Sequence, residues 1–472
     1  MKKIFTLLLI SLLVLTSCTK KQQPKYIFLF IGDGFGLSQS MLAEDFLDVE
    51  AGDTSTIHLD LLKMPVSGYQ TTYSDNSLVT DSAASGTALA TGHKTNNNML
   101  GVRPDSTVLS TIAEKLHKDG YMIGLLSTVA IDHATPGAFY GKVANRHNYK
   151  TISAQLAETG FEFLGGGGLL SSRHNDSIWI NMENHGYTIL DDTTQINNFQ
   201  YKDGKIFAKS RTLLRSQEIP YVIDNQNYDM NLTYFVDKMI KYFEPTEKPF
   251  FTMIEGGKID WSCHGNDPAT TLYEVLDMNN AFLKALAFYK RHPNNTLIVM
   301  TADHETGGLS IGQNSTGYAA YPSVLTHQTI SEDIFIQKID KFAKAGKYSL
   351  KQLYNLIEKD FGFNSADEPK LKLNKKDSAR IKLIFRKRFY GNSKYISNKL
   401  QAYDLHEKTT IASLCIQIMS EKAGMGWTSR EHTGIAVPVR AIGCGAEEFS
   451  GFYDNTDIPK KIMKVMGKSM TN

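Results

Sequence analysis

Six short, predominantly apolar runs constrain the fold of this chain more than any other feature. The runs are Tyr26–Ile31, Tyr121–Thr128, Phe161–Leu164, Phe250–Ile254, Thr296–Met300 and Val437–Ile442. Continuous rather than alternating apolarity is typical of strands that are buried on both faces. Stretches with helical periodicity, such as 107–118 and 230–243, lie between several of the runs. We therefore predict an α/β fold, a three-layer α/β/α sandwich around a large, mostly parallel sheet.

Composition agrees with a globular protein that has a sizeable core. The chain has 472 residues, of which 42% are hydrophobic and 21% are charged. Its formal net charge is +2, and two of the positive charges, Lys2 and Lys3, lie at the extreme N-terminus. The rest of the chain is close to neutral, so nothing in the charge points to a nucleic-acid partner.

The first 18 residues are typical of an export signal. Two lysines precede an apolar core that is shorter than the roughly 20 residues needed to span a bilayer. The segment LTSC at 15–18 resembles a bacterial lipobox, in which Cys18 would carry the lipid. We predict an exported, periplasmic protein that is lipid-anchored to a membrane through Cys18 and has no spanning helix. The alternative is a plain secretory peptide with an incidental Cys18.

The remaining cysteines do not indicate a structural role. Cys263, Cys415 and Cys444 are odd in number and include no CxxC pair. Neither a disulfide framework nor a thiolate metal site is therefore predicted, although one bridge is allowed in an oxidising compartment.

A hydroxyl stands beside a carboxylate in the segment VTDSAASGTA at 79–88. The segment ends a strand-like run and precedes a helical stretch, so Asp81 and Ser82 are predicted at a helix N-terminus. An ordinary helix cap explains that pair equally well. A dinucleotide-binding turn at 32–36 is disfavoured, because the GxGxxG spacing is incomplete and Asp33 lies where phosphate would approach.

Metal-ligand side chains cluster beside glycines at the predicted strand ends. The candidates are Asp33, Glu255, Asp260, His264, Asp303, His304 and His432. Asp260 and His264 have the i, i+4 spacing that directs two side chains to the same side of a helical turn. Converging carboxylates repel one another unless cations lie between them. Carboxylate with imidazole suits zinc, and carboxylate with the Thr135 hydroxyl suits magnesium.

Six motifs in a fixed order make the sequence similar to the alkaline phosphatase family. They are IGDGFG at 31–36, TDSAAS at 80–85, ATP at 134–136 with Arg146 further on, EGGKID at 255–260 with His264, TADH at 301–304 and EHTG at 431–434. The resemblance covers about 25–308 and 425–455. It implies a metal-dependent phosphomonoesterase that acts through a covalent phosphoserine on Ser82.

The resemblance also implies a role for each motif residue. Two zinc ions and one magnesium ion are expected. The first zinc would take Asp260, His264 and His432. The second would take Asp33, Asp303 and His304, with the Ser82 oxygen completing it, and magnesium would take Asp33, Thr135 and Glu255. Arg146 would bind phosphate oxygens, and Asp81 would orient Arg146 or the nucleophile loop.

Two residues depart from the better-known family pattern. His133 stands where some relatives carry Asp near magnesium, and an imidazole there would weaken magnesium or favour zinc or cobalt. The alternative role for His133 is a simple hydrogen bond outside the ligand shell. Trp261 stands where others carry Lys or His near the bound phosphate, so we expect looser binding of product phosphate and a shifted pH optimum.

The stretch 309–430 differs from the rest and is predicted to be an insertion, a crown or lid beside the site. Helices are expected around 330–343 and 350–361, and the basic run 370–387 is expected to be a solvated face, with attraction of phosphate-bearing substrates as the alternative. The domain prediction is a signal peptide at 1–18 and one phosphatase domain at 19–472. A homodimer is a further expectation from the resemblance.

Two functional alternatives stay open at this point. A phosphodiesterase of the same superfamily usually has a Thr nucleophile and lacks the arginine and the magnesium site, and a non-catalytic phosphate-binding lipoprotein would be missing part of the machinery. A sulfatase would need x-Pro-x-Arg after its nucleophile, whereas Ser82 is followed by AASG.

Overall fold

The central strand of the protein, β1, is apolar along its whole length because both of its faces are covered. In the computed structural model, Tyr26, Phe28 and Phe30 belong to one buried cluster, while Ile27, Leu29 and Ile31 belong to a second cluster on the opposite face. The structure describes residues 23–173, 176–224, 230–346, 349–391, 394–403 and 405–470. The predicted signal peptide and Cys18 lie outside these residues.

Ten of the strands form one large sheet in the order β14-β2-β13-β8-β1-β7-β3-β4-β6-β5. The strands are β1 (Tyr26–Gly32), β2 (Val66–Thr71), β3 (Met122–Ser127), β4 (Phe163–Gly166), β5 (Tyr187–Leu190), β6 (Lys205–Lys209), β7 (Phe250–Gly256), β8 (Thr296–Ala302), β9 (Glu305–Thr306), β10 (Leu309–Ile311), β11 (Met425–Trp427), β12 (His432–Thr433), β13 (Val437–Gly443) and β14 (Gly451–Asp454). All neighbours in this sheet are parallel except β13, which runs antiparallel to both β2 and β8. The predicted large, mostly parallel sheet is confirmed.

Helices cover both faces of the sheet. They are α1 (Leu37–Ala51), α2 (Ser82–Thr91), α3 (Ile112–Lys118), α4 (Ala134–Gly137), α5 (Tyr149–Glu158), α6 (Ser177–Asn184), α7 (Thr193–Asn198), α8 (Leu232–Phe243), α9 (Lys258–His264), α10 (Pro268–Arg291), α11 (Glu332–Lys344), α12 (Leu350–Phe361), α13 (Lys375–Tyr390), α14 (Lys394–Ala402), α15 (Ile411–Ala423) and α16 (Asp457–Val465). Apolar residues of α1, α8 and α10 pack on one face, and those of α2, α3, α5 and α16 pack on the other. The predicted three-layer arrangement is the observed one.

Local sequence signals locate most of the elements to within a few residues. The helix expected over 107–118 begins only at Ile112, because the Thr111 hydroxyl caps it by accepting from the Glu114 amide and Glu114 accepts in return. The strand-like run expected before Asp81 is wrong, since residues 72–81 contain neither helix nor strand. Backbone there is held by local hydrogen bonds, such as those of Ser74 with Ser77, rather than by a strand partner.

The stretch 309–430 is tied at both ends to one small sheet. Strands β10 and β11 pair antiparallel, with Leu309 opposite Trp427 and Ile311 opposite Met425. Helices α11 to α15 lie between these strands in the chain. The boundaries of this insertion stay a prediction, although the pairing of β10 with β11 brings the two ends of the stretch together.

The basic run is not a uniformly solvated face, which corrects the sequence prediction. Lys375 and Lys376 at the start of α13 are exposed, but the Arg380 side chain is only 2% exposed. The Arg380 guanidinium pairs with Asp377 at 2.8 Å and with Glu421 at 2.6 Å. A buried guanidinium needs such partners, so part of the run ties α13 to α15.

Two further findings concern membranes and cysteines. Within the described residues, helices long and apolar enough to cross a membrane are absent.

Cys263, Cys415 and Cys444 are all free thiols, and the first two are buried. The bridge that the sequence allowed is therefore not formed.

Candidate active site and metal centre

Ser82 is the first residue of α2 and lies at the carboxyl edge of the sheet. Asp81 caps this helix, since its Oδ1 accepts from the Ala84 amide at 3.0 Å. Because Asp81 takes the capping role, the Ser82 hydroxyl is free to point elsewhere, and its Oγ lies 3.3 Å from His304 Nε2. The helix-cap reading thus applies to Asp81, while Ser82 faces the histidine cluster.

Arg146 is fixed beside this helix terminus by Asp81. The Arg146 Nη1 donates to Asp81 Oδ2 at 3.1 Å, and the same oxygen accepts from the Asn98 amide at 3.0 Å. Burial raises the pKa of Asp33 and lowers that of His304, and the Arg146 charge opposes the first shift and adds to the second. A positioned guanidinium next to a serine at a helix N-terminus is an arrangement that suits an oxyanion such as phosphate.

Asp33, Asp303 and His304 form one group of converging ligand atoms. Asp33 follows β1, and Asp303 and His304 follow the neighbouring strand β8, so the two strand ends bring them together. One ligand atom of each lies within 4.8 Å of the others. The His304 Nε2 is 3.4 Å from Asp33 Oδ1 and 3.3 Å from Asp303 Oδ2. This group matches the residues predicted for the second zinc.

A second group consists of Asp260, His304 and His432. The sequence-based set had His264 in place of His304, and His264 Nε2 still lies 3.3 Å from Asp260 Oδ2. His432 Nε2 is 3.6 Å from Asp260 Oδ1, and its ring stacks on that of His304 with centroids 3.5 Å apart. His304 therefore belongs to both groups, so the two groups of ligand atoms are adjacent.

The other ring nitrogen of each histidine is held by an oxygen. His432 Nδ1 donates to the Thr80 carbonyl at 2.8 Å, and His264 Nδ1 donates to the Arg430 carbonyl. His304 Nδ1 lies 3.2 Å from Thr306 Oγ1. A carbonyl only accepts, so in His264 and His432 the Nδ1 atom carries a proton, and Nε2 is the ring nitrogen that faces the Asp260 carboxylate. Metal-binding histidines are oriented in this way.

Glu255 and Thr135 form a third part of the site. Glu255 lies near the end of β7, opposite Ser127 of β3, whose hydroxyl donates to Glu255 Oε2. Burial raises the pKa of Glu255 to about 7, and the Ser127 hydrogen bond, followed by the nearby but not hydrogen-bonded Thr135 hydroxyl, acts to lower it. The register of the parallel strands places Glu255 beside Ser127. Strand β7 lies between β1 and β3, so Glu255 has Ile31 opposite it on one side and Ser127 opposite it on the other.

Several buried oxygens of the site have no hydrogen-bond partner among the described residues. They are both carboxylate oxygens of Asp33, Oδ2 of Asp303, Oε1 of Glu255 and Oγ1 of Thr135. Buried oxygens are rarely left in this state in proteins. Burial, together with the neighbouring carboxylates, also raises the pKa of Asp33 and Asp303 well above the usual value. Oxygens that lack donors and repel one another fit divalent cations, so the residues present suit a metal centre.

The two residues that depart from the family pattern contact each other. The rings of His133 and Trp261 meet edge to face with centroids 5.8 Å apart, and His133 Nε2 lies 3.3 Å from Arg146 Nη2. Burial, followed by the Arg146 charge, lowers the pKa of His133 to about 3, so this imidazole is neutral. Trp261 is therefore connected to Arg146 through His133.

Sequence reasoning missed two hydroxyls that support the ligands. Thr306 Oγ1 donates to Asp260 Oδ1 at 2.5 Å, and Ser127 holds Glu255 as described above. Thr306 stands two residues after His304, and Ser127 ends an apolar run, so their positions in the chain were the available signal. Their partners lie in distant segments, so only the three-dimensional structure reveals those contacts.

Comparison with known proteins agrees with this geometry. The family described as Alkaline phosphatase matches residues 24–162 and 172–468. The chain is 29% identical to "Alkaline phosphatase 3" of Bacillus subtilis over 455 residues, covering 94% of this chain and 90% of that protein.

Solved structures of alkaline phosphatases share the fold. The crystal structure of the cold-active enzyme from the psychrophile Shewanella sp. covers 93% of this chain and 99% of its own, at 28% identity and a TM-score of 0.77. The enzyme from the Antarctic bacterium TAB5 covers 96% and 100%, at 25% identity and a TM-score of 0.65. With its metal-suited site and a family match along almost the whole described chain, this protein belongs to the alkaline phosphatase family and is a metal-dependent phosphomonoesterase.

Proposed function

We propose that the enzyme hydrolyses small phosphate monoesters through a covalent phosphoserine on Ser82. The observation that carries this proposal is the position of the Ser82 hydroxyl, 3.3 Å from His304 Nε2 at the N-terminus of α2. Ser82 lies where two groups of metal-ligand side chains meet, and Arg146 stands beside it. A nucleophile, a charge-stabilising arginine and an activating centre are the parts that phosphoryl transfer requires.

We assign the predicted roles to the residues that surround Ser82. Two zinc ions would be held by Asp260, His264 and His432 and by Asp33, Asp303 and His304, and magnesium would be held by Asp33, Thr135 and Glu255. The donor sets support this assignment, since imidazole with carboxylate suits zinc and oxygen alone suits magnesium. When bound, such cations lower the pKa of a serine hydroxyl and stabilise charge on a leaving oxygen.

The residues of the chain then act in two steps. Arg146 binds two phosphate oxygens, and the amide groups at the start of α2 face the same charge. The Ser82 oxygen forms a bond to phosphorus, and the bond from phosphorus to the ester oxygen breaks in line with it. Water then cleaves the phosphoserine, which releases phosphate and restores the hydroxyl. Asp81 acts by holding Arg146 rather than by contacting the reacting atoms.

Turnover of two nitrophenyl esters tests the proposed function. We expect p-nitrophenyl phosphate to react at least ~100-fold faster than bis-p-nitrophenyl phosphate, because a diester has only two non-bridging oxygens, so none is left for the metal-ligand groups when both are bound by Arg146. Addition of a chelator should abolish both reactions. Faster turnover of the diester would favour a phosphodiesterase, and phosphate binding without turnover would indicate a non-catalytic binding protein.

Trp261 is proposed to weaken the binding of product phosphate. Replacing it with lysine adds a cation beside His133 and Arg146, so we expect Trp261→Lys to be inhibited by inorganic phosphate at about fivefold lower concentration. The Trp261→Phe variant is the control, since it keeps an uncharged ring at the same position. Steady-state inhibition constants measure the effect. Equal inhibition of Trp261→Lys and wild type would contradict this role.

Export and anchoring complete the proposal. The sequence of residues 1–18 supports an exported enzyme that Cys18 tethers to a bacterial membrane. We also retain residues 309–430 as an inserted subdomain, supported by the pairing of β10 with β11 at its base. A homodimer stays a prediction from the family resemblance.

A further inference from the structure

Glu305 is a buried carboxylate that lies beside two predicted metal ligands and belongs to neither group of converging ligand atoms. It follows His304 directly in the chain. Across the pairing of β9 with β12 it is opposite Thr433, the residue after His432. Glu305 is only 2% exposed, and the mechanism above gives it no task.

Neutral hydrogen-bond donors surround the Glu305 carboxylate. The Gly308 amide donates to both oxygens, at 3.0 and 3.2 Å, and the Gln39 side-chain amide donates to Oε1 at 2.7 Å. The Thr433 hydroxyl donates to Oε2. Among the residues that the structure describes, no cationic side chain forms an ion pair with Glu305. A buried carboxylate without a cation depends on such donors, and here they come from three separate segments of the chain.

Gln39, in the first turn of α1, extends this network to the remaining segments that carry ligands. Its Nε2 also donates to the Thr306 carbonyl at 3.0 Å and lies 3.8 Å from Cys263 Sγ in α9. Its Oε1 accepts from the Gly36 amide at 3.0 Å, in the turn that follows β1. Each of the four segments that supply predicted zinc ligands therefore contains or contacts this pair of side chains.

The pair is packed without spare room against the turn after β1. A Cβ built on Gly36 would lie 2.4 Å from Glu305 Cγ and 2.8 Å from Gln39 Oε1. Glycine is needed there for space, and even alanine would push the pair away. Gln39 is fully buried as well. Close packing and satisfied hydrogen bonds together hold the two side chains in one arrangement.

The separation of two imidazoles depends directly on Glu305. The rings of His304 and His432 stack with centroids 3.5 Å apart, and the hydrogen bond between Glu305 and Thr433 lies one residue beyond each of them. A metal ion binds tightly when its ligands are already held at the right spacing, and the groups that hold the ligands contribute much of the affinity.

We propose that Glu305, oriented by Gln39, is a positioning residue that holds the zinc-ligand segments at the spacing the metal ions need. The proposal rests on the proposed function, since it concerns the zinc ions assigned there. Glu305 acts through the histidines and contacts neither substrate nor metal. Its loss therefore weakens the retention of zinc.

Transfer of zinc from the loaded enzyme to an excess of a chromogenic chelator provides the test. Glu305→Gln keeps the shape of the side chain, but in either orientation its NH₂ group meets the N–H of Gly308, which donates to both oxygens in the wild type. We expect both zinc ions to leave this variant at least about tenfold faster than they leave the wild type.

Thr433→Val is a milder second variant, which removes only the hydroxyl that joins β12 to Glu305. The backbone pairing of β9 with β12 does not need this hydroxyl, so the variant should fold. We expect one zinc ion, the one assigned to His432, to leave several times faster than in the wild type, while the other leaves at the wild-type rate. The release curve should then show two phases.

Asp277→Asn is the matched control. Asp277 is a buried carboxylate that accepts from the Leu232 amide at 3.0 Å and the Thr233 hydroxyl at 2.6 Å, so it joins α10 to α8 by the same kind of bonds. None of its hydrogen bonds within the described part of the chain reaches a segment that carries ligands. We expect a lower melting temperature and a wild-type rate of zinc release. Melting temperatures of the metal-free proteins measure how far each variant is destabilised.

Three results would overturn the inference. They are wild-type zinc release from folded Glu305→Gln, wild-type release of both ions from Thr433→Val, and equally accelerated release from Asp277→Asn, which would assign the effect to general destabilisation. In each case the wild-type enzyme still binds zinc and forms phosphoserine, so the proposed function stands. Wild-type protein that binds no zinc, or that hydrolyses monoesters without it, would instead refute the proposed metal centre, and the positioning role with it.

Discussion

Replacing Ser82 with alanine is expected to lower the turnover of p-nitrophenyl phosphate by on the order of 10³-fold or more. Ser82 contributes the one hydroxyl at the start of α2 that approaches the histidine cluster, with Oγ 3.3 Å from His304 Nε2. Alanine keeps the helix and its Asp81 cap, so the fold and the ligand groups should stay intact. Residual activity would come from bound cations and Arg146 acting on water directly.

Acid-quench mass spectrometry gives a sharper readout than the rate. Wild-type protein should carry one phosphoryl group on the peptide that contains Ser82, and Ser82→Ala should carry none. Ser85→Ala is the matched control, because Ser85 is buried one turn further along the same helix and its Oγ donates to the Asp81 carbonyl at 3.1 Å. Rapid release of one equivalent of nitrophenol by Ser82→Ala would rule out this nucleophile.

Removal of the metals is expected to lower the melting temperature by roughly 10 °C or more, because each tightly bound ion stabilises only the folded state. In the metal-free protein, buried oxygens of Asp33, Glu255 and Asp303 face one another without hydrogen-bond donors. Their mutual repulsion then acts against folding. Calorimetry before and after chelation measures the shift, and zinc with magnesium should reverse it.

The size of this shift should depend on pH in a defined direction. Burial raises the pKa of Glu255 from 4.5 to about 7 in the metal-free fold. The folded state therefore binds a proton that the unfolded chain has lost, so the metal-free protein loses stability as pH rises between those values. Metal-bound protein behaves oppositely, since protons compete with the cations at low pH. The melting temperatures of the metal-free and the metal-bound protein should therefore be closest near pH 5 and differ most near pH 8.

The Ser82→Ala variant is also the control for this experiment. It lacks the nucleophile but keeps every carboxylate and imidazole ligand, so chelation should lower its melting temperature by a similar amount to that of wild type. A melting temperature at pH 8 that is the same with and without chelator would contradict the metal centre.

Much of the fold was predictable because its strands are buried on both faces. Runs such as Tyr26–Ile31 have no polar positions, and this property identifies interior strands of a parallel sheet without any knowledge of their partners. The outer strands β2, β5, β6 and β14 were not predicted, because their sequences are short and mixed in polarity. Local periodicity also could not show that β13 runs antiparallel, since direction depends on where the chain returns from the insertion.

For the site, residue identity was easier to predict than arrangement. Glycine-flanked acids and histidines at strand ends indicated the ligands, and the structure brings them together at one edge of the sheet. The place of His304 between both ligand groups was not predicted, because it depends on how its ring stacks on His432. The contact between His133 and Trp261 likewise joins two segments whose separation in the chain gives no local signal.

The pairing of β9 with β12 makes one of the two ligand groups depend on the folding of the insertion. His432 lies opposite Thr306, so the last histidine reaches the site only after the whole insertion has been synthesised and folded back. A nascent chain that ends before that point has Asp260 and His304 but lacks the His432 imidazole of the same group. Completion of the group around Asp260 is thus linked to the folding of the insertion, whereas the group of Asp33, Asp303 and His304 comes entirely from residues that precede it.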